Sequence, residues 1–179
     1  MAQDLLWTYK FKQHKDVKDK VIEMITKYSA KSGAFDKNSG THMYSDYFIK
    51  DGNREYGEEL LPFLQDFMQQ LLERTGCGNV RYFYWCQQYV QRGQHFWHNH
   101  PNCSLSGVYY LKLEDGKDAT EFFDPVSKTK FQPDVEEGDI VVFPSYLPHR
   151  SKFINSDREK IIVSFNFNFD VDYSDPIFK

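Results

Sequence analysis

The chain has 179 residues, of which 40% are hydrophobic and 17% aromatic, and its formal net charge at pH 7 is −4. This length suits one well-buried domain, and the composition excludes an intrinsically disordered chain. This mild net charge neither predicts nor excludes nucleic-acid binding, but no run of basic residues supports nucleic acid as the main partner.

The cysteines and the apolar segments bear on the cellular compartment. Cys77, Cys86 and Cys103 form an odd set without a C-x-x-C pair, which is typical of reduced thiols. Residues 1–15 lack the apolar core of a signal peptide, and no stretch approaches the ~18 apolar residues that a membrane span requires. We therefore expect a soluble cytoplasmic protein with no membrane partner.

The N-terminal part of the chain predicts a strand and a helix. Residues 5–11 alternate between apolar and polar well enough for an opening strand. Apolar residues then recur at helical spacing, which predicts a first helix over residues 16–30 that ends before Gly33.

A second helix is expected after a polar loop. Residues 31–56 are rich in Ser, Gly, Asn and Asp and predict a long loop, with a short strand at 44–49. An apolar stripe over residues 60–72 then predicts another helix, for which Gly76 suits the end.

From residue 80 onward the pattern changes to short strand-like runs separated by turn signals. These runs are 80–90, 105–113, 120–123, 139–143 and 160–169. Two helices followed by many short strands predict an α+β domain in which the helices buttress a β-sandwich or jelly roll. We expect one domain over residues 1–179, with the buttress at 1–79, the strand-rich core at 80–169 and a tail at 170–179.

Three histidines form the strongest candidate site. His98 and His100 lie in the segment WHNHPN, and on an extended strand both side chains point to the same face. His149 follows a β-run and a turn about fifty residues later. Two imidazoles on one face, with a third from a distant strand, can hold one side of a metal ion and leave its other positions open for chemistry.

The order of motifs resembles that of the iron(II)- and 2-oxoglutarate-dependent dioxygenases. H-x-H is followed by the strand GVYYL, an acidic turn, GDIVVFP, LPH and a basic residue that opens a final strand. Within that superfamily the chain is most similar to the prolyl-hydroxylase-like oxygenases of bacteria and phages. The resemblance covers about residues 80–169 and implies a double-stranded β-helix (jelly-roll) core buttressed by the two N-terminal helices.

The resemblance implies that His98, His100 and His149 bind the metal. His100 occupies the position where the family has an acidic ligand, and Asp124, a carboxylate downstream of it, is the alternative ligand. Three neutral imidazoles leave more net positive charge on a metal than two imidazoles and a carboxylate do. Imidazole suits iron but also zinc, copper and nickel, so the identity of the metal stays open.

The same resemblance implies a basic residue, shortly after the distal histidine, that binds the far carboxylate of 2-oxoglutarate. Lys160 and Arg158 both qualify, and Lys160 is preferred because it shares a strand face with Ser164 and Asn166. Arg158 lies in a polar turn. The alternative is that both are solvated charges at the start of a strand.

Three further residues are candidates for binding 2-oxoglutarate. Tyr110 matches the position at which prolyl-hydroxylase-like enzymes direct a phenol toward the far carboxylate. Tyr89 matches a second tyrosine of some relatives, and Gln87 lies on the same strand face. The alternative for each is core packing with a satisfied polar group.

The resemblance implies an oxidoreductase that uses Fe(II), 2-oxoglutarate and O2 to hydroxylate a peptidyl or small-molecule substrate and releases succinate and CO2. One alternative is a three-histidine cupin-type dioxygenase that does not use 2-oxoglutarate. Another is a non-catalytic metal-binding β-sandwich. The sequence does not specify the substrate or the oligomeric state.

Overall fold

The structure, a computed structural model, describes residues 2–32, 41–49, 54–90, 92–155 and 157–170. Most of the expected tail at 170–179 and parts of the expected loop at 31–56 lie outside these ranges.

The described helices are α1 (His14–Ser32), α2 (Glu55–Leu60) and α3 (Gln65–Thr75). The helix predicted over 16–30 is confirmed as α1. The second predicted helix is interrupted, because a 3-10 turn at Leu61–Leu64 joins α2 to α3. Pro62 lies in this turn and has no N–H for a helical hydrogen bond. Gly76 caps α3 at φ 66°, in the left-handed region that glycine tolerates.

The described strands are β1 (Trp7–Lys10), β2 (Met43–Ser45), β3 (Val80–Tyr89), β4 (His95–His98), β5 (Leu105–Leu113), β6 (Glu121–Asp124), β7 (Thr129–Phe131), β8 (Asp139–Pro144), β9 (His149–Ser151) and β10 (Lys160–Phe169). The runs predicted at 105–113 and 160–169 match β5 and β10. The short strand expected at 44–49 is found one residue earlier and is shorter. Both β7 and β9 were absent from the expected runs.

The strands form two antiparallel sheets. The large sheet has the order β1-β8-β5-β10-β3-β2, and the small sheet has the order β4-β9-β6-β7. Phe122 of the small sheet packs edge-on against Phe143 of the large sheet, with 4.8 Å between ring centres. The expected α+β fold with a jelly-roll core is therefore confirmed.

The large sheet is buried on both faces. Along β10, Val163 and Phe165 pack toward the helices, where Val21 and Phe67 cover the outer face. Ile162 points the other way, into the space between the sheets. This alternation follows from the two-residue period of a strand, and it aims every second side chain of β10 at the site described next.

In the part of the chain that the structure describes, no helix is long and apolar enough to cross a membrane.

Candidate active site

Three histidines converge at one end of the space between the sheets. His98, at the end of β4, is paired in register with His149, at the start of β9. His100 lies two residues beyond β4, so the expected single extended strand carrying both His98 and His100 is not found. The three rings still meet, because the chain turns after β4. Each offers one ligand nitrogen, and these nitrogens lie within 4.8 Å of one another.

Backbone carbonyls orient two of these rings. His98 Nδ1 lies 2.7 Å from the Phe96 carbonyl oxygen, and His149 Nδ1 lies 2.9 Å from that of Leu147. A carbonyl oxygen only accepts, so each Nδ1 carries the hydrogen. The lone pair then lies on Nε2, the atom that is left to bind a metal.

The surroundings keep these imidazoles neutral. Burial lowers the pKa of His98, and burial followed by the charge of His98 lowers the pKa of His100 to about 4. Burial is also the main cause of a pKa well below the usual value at His149. Neutral imidazole is the form that binds metal.

His100 is held by its neighbours. Its backbone N–H donates to the Ser145 carbonyl oxygen at 2.9 Å, and its ring stacks on the Trp85 indole with 5.7 Å between ring centres.

The candidate ligand Asp124 and the thiol of Cys103, which follows the histidine segment, have other partners. The buried Asp124 carboxylate accepts hydrogen bonds from the backbone N–H groups of Ala2 and Val126, which lower its pKa to about 2. The Cys103 thiol donates to the Ser145 hydroxyl at 3.0 Å. Within the described residues, the cluster suited to a metal is composed of histidines alone.

The donor set fits an iron ion. Three neutral imidazole nitrogens, two of them with fixed tautomers, approach one point, and imidazole is a good ligand for first-row transition metals. Three ligands leave coordination positions free for small molecules.

A cavity extends from the histidines into the space between the sheets. Lys160 lies in its wall at the first position of β10 and is only 1% exposed. Its ammonium group donates to the Asp118 carbonyl oxygen at 2.8 Å and to the Ser151 hydroxyl. Among the described residues, no carboxylate forms an ion pair with Lys160. Burial lowers its pKa to about 7. Lys160 is thus a buried amine at the cavity wall whose hydrogen-bond partners are uncharged.

Arg158 does not line the cavity. It is 38% exposed in its side chain, and its guanidinium pairs with the Asp118 carboxylate at 2.8 Å. Of the two basic candidates, the structure brings only Lys160 to the histidine site.

The other candidates divide between the cavity wall and the layer behind it. Tyr89 lines the cavity and lies under Lys160, with 4.4 Å between the Lys160 nitrogen and the ring centre. Gln87 also lines it. Tyr110 is fully buried behind the wall, where its hydroxyl accepts from the backbone N–H of Thr120 at 3.1 Å.

A wider opening of about 280 Å³ adjoins the histidines on the solvent side. Aromatic rings form one wall of this mouth: Tyr47 packs edge-on against Trp85 at 5.0 Å, and Phe48 is 86% exposed. Asn99, Asn102 and Asn166 contribute side-chain amides. Among the described residues that line the mouth, none is Asp, Glu, Lys or Arg.

Asp46 holds the aromatic wall in place. Its buried carboxylate accepts from the Cys86 backbone N–H at 2.8 Å, from the Tyr56 hydroxyl at 2.9 Å and from Arg54 at 3.1 Å. These bonds tie the segment just before Tyr47 to strand β3.

The sequence prediction missed several residues of this site. His95 and Ser151 line the cavity on the small sheet, and Thr120 lines it too, with its backbone N–H donating to the Tyr110 hydroxyl. The sequence pattern did not indicate that His95 lies beside His98, because side chains three residues apart on a regular strand point to opposite faces. A register shift between His95 and His98 turns both rings to the same side, with 4.0 Å between their centres.

Comparison with known families agrees with this geometry. Residues 84–166, a little under half of the chain, match the family model described as "Putative 2OG-Fe(II) oxygenase". This match supports the 2OG-Fe(II) oxygenase superfamily, whose members are oxidoreductases that use Fe(II), 2-oxoglutarate and O2. No curated protein matches the chain significantly.

Solved structures share the fold of this chain at low sequence identity. A prolyl-4-hydroxylase from Pseudomonas putida is 15% identical with a TM-score of 0.63, and the match covers 94% of this chain and 97% of that one. A Trichoplax adhaerens prolyl hydroxylase in complex with a hypoxia-inducible-factor peptide is 14% identical with a TM-score of 0.67, covering 94% and 88%. HygX from Streptomyces hygroscopicus, with nickel and 2-oxoglutarate bound, is 9% identical with a TM-score of 0.67, covering 92% and 82%.

Proposed function

We propose that the protein is an Fe(II)- and 2-oxoglutarate-dependent dioxygenase that hydroxylates a C–H bond of a peptidyl or small-molecule substrate. The observation that carries this proposal is the joint geometry of three neutral histidines and the buried Lys160 at one cavity. A metal-binding module without catalytic activity has no need for a buried cation beside its metal.

His98, His100 and His149 bind the iron, with Nε2 as the ligand atom of His98 and His149. Lys160 binds the far carboxylate of 2-oxoglutarate, with the hydroxyl of Ser151 beside it. A charged, hydrogen-bonded partner offsets the cost of burying that carboxylate. When bound, the metal and co-substrate supply the oxidising chemistry, in which decarboxylation to succinate and CO2 accompanies hydroxylation.

The rest of the chain shields and shapes the cavity. Val108, Phe143 and Ile162 are buried in its wall and limit the access of water to the metal side. The protein's contribution is therefore to hold the metal with open positions, to orient the dicarboxylate and to exclude solvent.

The mouth favours an uncharged part of the substrate near the metal. Its described lining combines an exposed aromatic wall with amide side chains that both donate and accept hydrogen bonds. A free amino acid or a nucleotide brings charges that the described lining does not pair. A peptide segment or another neutral polar molecule suits it better.

The free thiols support a reducing compartment, as in the cytoplasm. Cys86 is fully buried in the core as a thiol, and Cys77 and Cys103 are also free. Fractionation of the source cells with an antibody to the protein tests this placement.

The decisive experiment is calorimetric titration of 2-oxoglutarate into protein loaded with Mn(II), followed by a succinate assay with Fe(II) under air. We expect saturable binding to the Mn(II) form, much weaker binding without metal, and succinate formation that depends on Fe(II). A metal-loaded protein that consumes O2 without binding 2-oxoglutarate would instead be the three-histidine dioxygenase that does not use this co-substrate.

A further inference from the structure

A fourth imidazole lies beside the three histidines of the metal site. His95 opens β4, and its ring stacks on that of His98 at 4.0 Å between ring centres and 29° between planes. It lines both the inner cavity and the mouth. In the register of β4 with β9, His95 is opposite Ser151, which contacts Lys160, whereas His98 is opposite His149. His95 therefore lies between the lysine end of the cavity and the metal end.

A hydrogen-bond chain fixes the tautomer of His95. The Ser164 hydroxyl donates to Gln87 Oε1 at 3.0 Å, and Gln87 Nε2 lies 3.2 Å from His95 Nδ1. The same amide nitrogen faces the Met43 sulfur at 3.4 Å, which is an acceptor. An amide nitrogen only donates, so His95 Nδ1 is the acceptor and the ring hydrogen of the neutral imidazole is on Nε2.

This tautomer is the opposite of that found at two of the metal-site rings. His98 and His149 face carbonyl oxygens through Nδ1 and leave a lone pair on Nε2. His95 faces an amide donor through Nδ1 and leaves an N–H on Nε2. Within the described residues, no protein group accepts a hydrogen bond from this Nε2. His95 is therefore arranged as a hydrogen-bond donor at the cavity and not as a fourth metal ligand.

We infer that His95 donates a hydrogen bond from Nε2 to a carboxylate oxygen of 2-oxoglutarate in the cavity, and that Gln87 is the positioning residue that fixes this donor. The inference rests on the proposed function. A carboxylate is the acceptor that such a donor favours, because an ionised partner strengthens the bond. Since the tautomer is set before binding, the ring does not have to reorganise when the co-substrate enters.

The test is calorimetric titration of 2-oxoglutarate into Mn(II)-loaded wild-type protein and into His95→Leu, His95→Gln and Gln87→Leu variants. We expect His95→Leu to weaken 2-oxoglutarate binding about tenfold to a hundredfold, as for the loss of a hydrogen bond to a charged group. His95→Gln should recover much of the affinity, because its amide supplies an N–H at a similar reach. Gln87→Leu should weaken binding less than His95→Leu does.

Affinity for Mn(II) separates a donor from a ligand. It should be the same in wild type and in both His95 variants, and Trp97→Phe, at an exposed position of the same strand, is the matched control for changes in β4. If His95→Leu loses Mn(II) affinity, or binds 2-oxoglutarate as tightly as wild type, the inference is wrong. If wild type itself fails to bind 2-oxoglutarate, the proposed function fails with it.

The tautomer itself can be observed without turnover. In protein loaded with diamagnetic Zn(II), the ¹⁵N chemical shifts of the histidine rings should show the hydrogen on Nε2 for His95 and on Nδ1 for His98 and His149. This measurement also covers the case in which His95→Leu does not fold. A hydrogen on Nδ1 of His95 would overturn the assignment.

Discussion

The Lys160 ammonium nitrogen lies 4.4 Å from the centre of the Tyr89 ring, across the paired strands β10 and β3. The face of an aromatic ring attracts a cation, but by only about 0.5–2 kcal/mol, less than a full charge does. Tyr89 therefore helps to keep a cation at this depth without neutralising it, and the field of Lys160 stays available to an anion.

Replacing Lys160 by alanine should raise the Kd for 2-oxoglutarate far more than replacing Arg158. Loss of one partner from a buried charge pair costs roughly 2–5 kcal/mol, which is about thirtyfold or more in Kd. Arg158 pairs with Asp118 outside the cavity, so Arg158→Ala should change Kd by less than about threefold. Titration of both Mn(II)-loaded variants gives the comparison, and the reverse ranking would assign the carboxylate to Arg158.

The affinity for 2-oxoglutarate should fall as the pH rises above 7. Burial lowers the pKa of Lys160 to about 7, so above this value the free site holds a neutral amine and must take up a proton to bind the dicarboxylate. Kd should then rise up to about tenfold per pH unit and be flat below pH 7. The groups that act on Lys160 are Tyr89, Asp118 and Lys152, none of which is a metal ligand.

The control for this pH dependence is Lys160→Arg. A guanidinium stays charged over the whole range, so an arginine variant that binds 2-oxoglutarate should show a flatter profile. An equally steep profile in that variant would mean that another group is responsible.

His149→Ala should abolish tight metal binding, because two ligands from one segment hold a metal much less well than three. The measurement is Mn(II) binding by calorimetry or by electron paramagnetic resonance. Cys77→Ser is the matched control, since its thiol contacts the Thr75 carbonyl oxygen at the end of α3. Equal metal affinity in His149→Ala and wild type would exclude the three-histidine site.

His100→Asp should keep the metal but weaken 2-oxoglutarate. An aspartate supplies an oxygen ligand and removes one unit of net positive charge from the centre, which reduces its attraction for a dianion. We expect similar or tighter binding of Mn(II), together with a raised Kd for 2-oxoglutarate. A lowered Kd in this variant would show that the third imidazole does not act through charge.

Gly93→Ala should destabilise the fold. A Cβ at this position would lie 2.7 Å from the Val90 carbonyl oxygen and 2.9 Å from the Tyr89 Cβ, both too close. Overpacking of this kind costs about 1–3 kcal/mol, and the free energy of unfolding in urea measures it. Gly78→Ala is the matched control, because a Cβ there meets nothing within 4 Å and should leave that free energy nearly unchanged.

The sequence predicts well those parts of the fold in which apolar and polar residues alternate regularly along one element. β10 alternates between the helix side and the cavity side over its whole length, so its bounds and the inward direction of Lys160 could be read from the residues. The break between α2 and α3 was missed, because the apolar stripe continues through Pro62 while the backbone changes to a 3-10 turn.

The parts of the site that the sequence could not predict depend on contacts across the sheets. The register shift in β4 is a property of its pairing with β9, and no local pattern marks His95 as a neighbour of His98. Ser151 becomes a partner of Lys160 only when the small sheet closes over the large one. The short strand β9 itself has three residues, too few for a periodic signal.

Because Trp85 stacks on His100, its fluorescence should change when a metal ion binds to the histidines. Trp85 is 4% exposed, and its indole stacks on a ring of the candidate metal site, whereas Trp7 lies among the helix-side residues and Trp97 packs against Arg150 on the small sheet. Entry of a paramagnetic ion should quench the emission of one tryptophan out of three. Fluorescence of the unlabelled protein therefore offers a way to follow metal loading in real time.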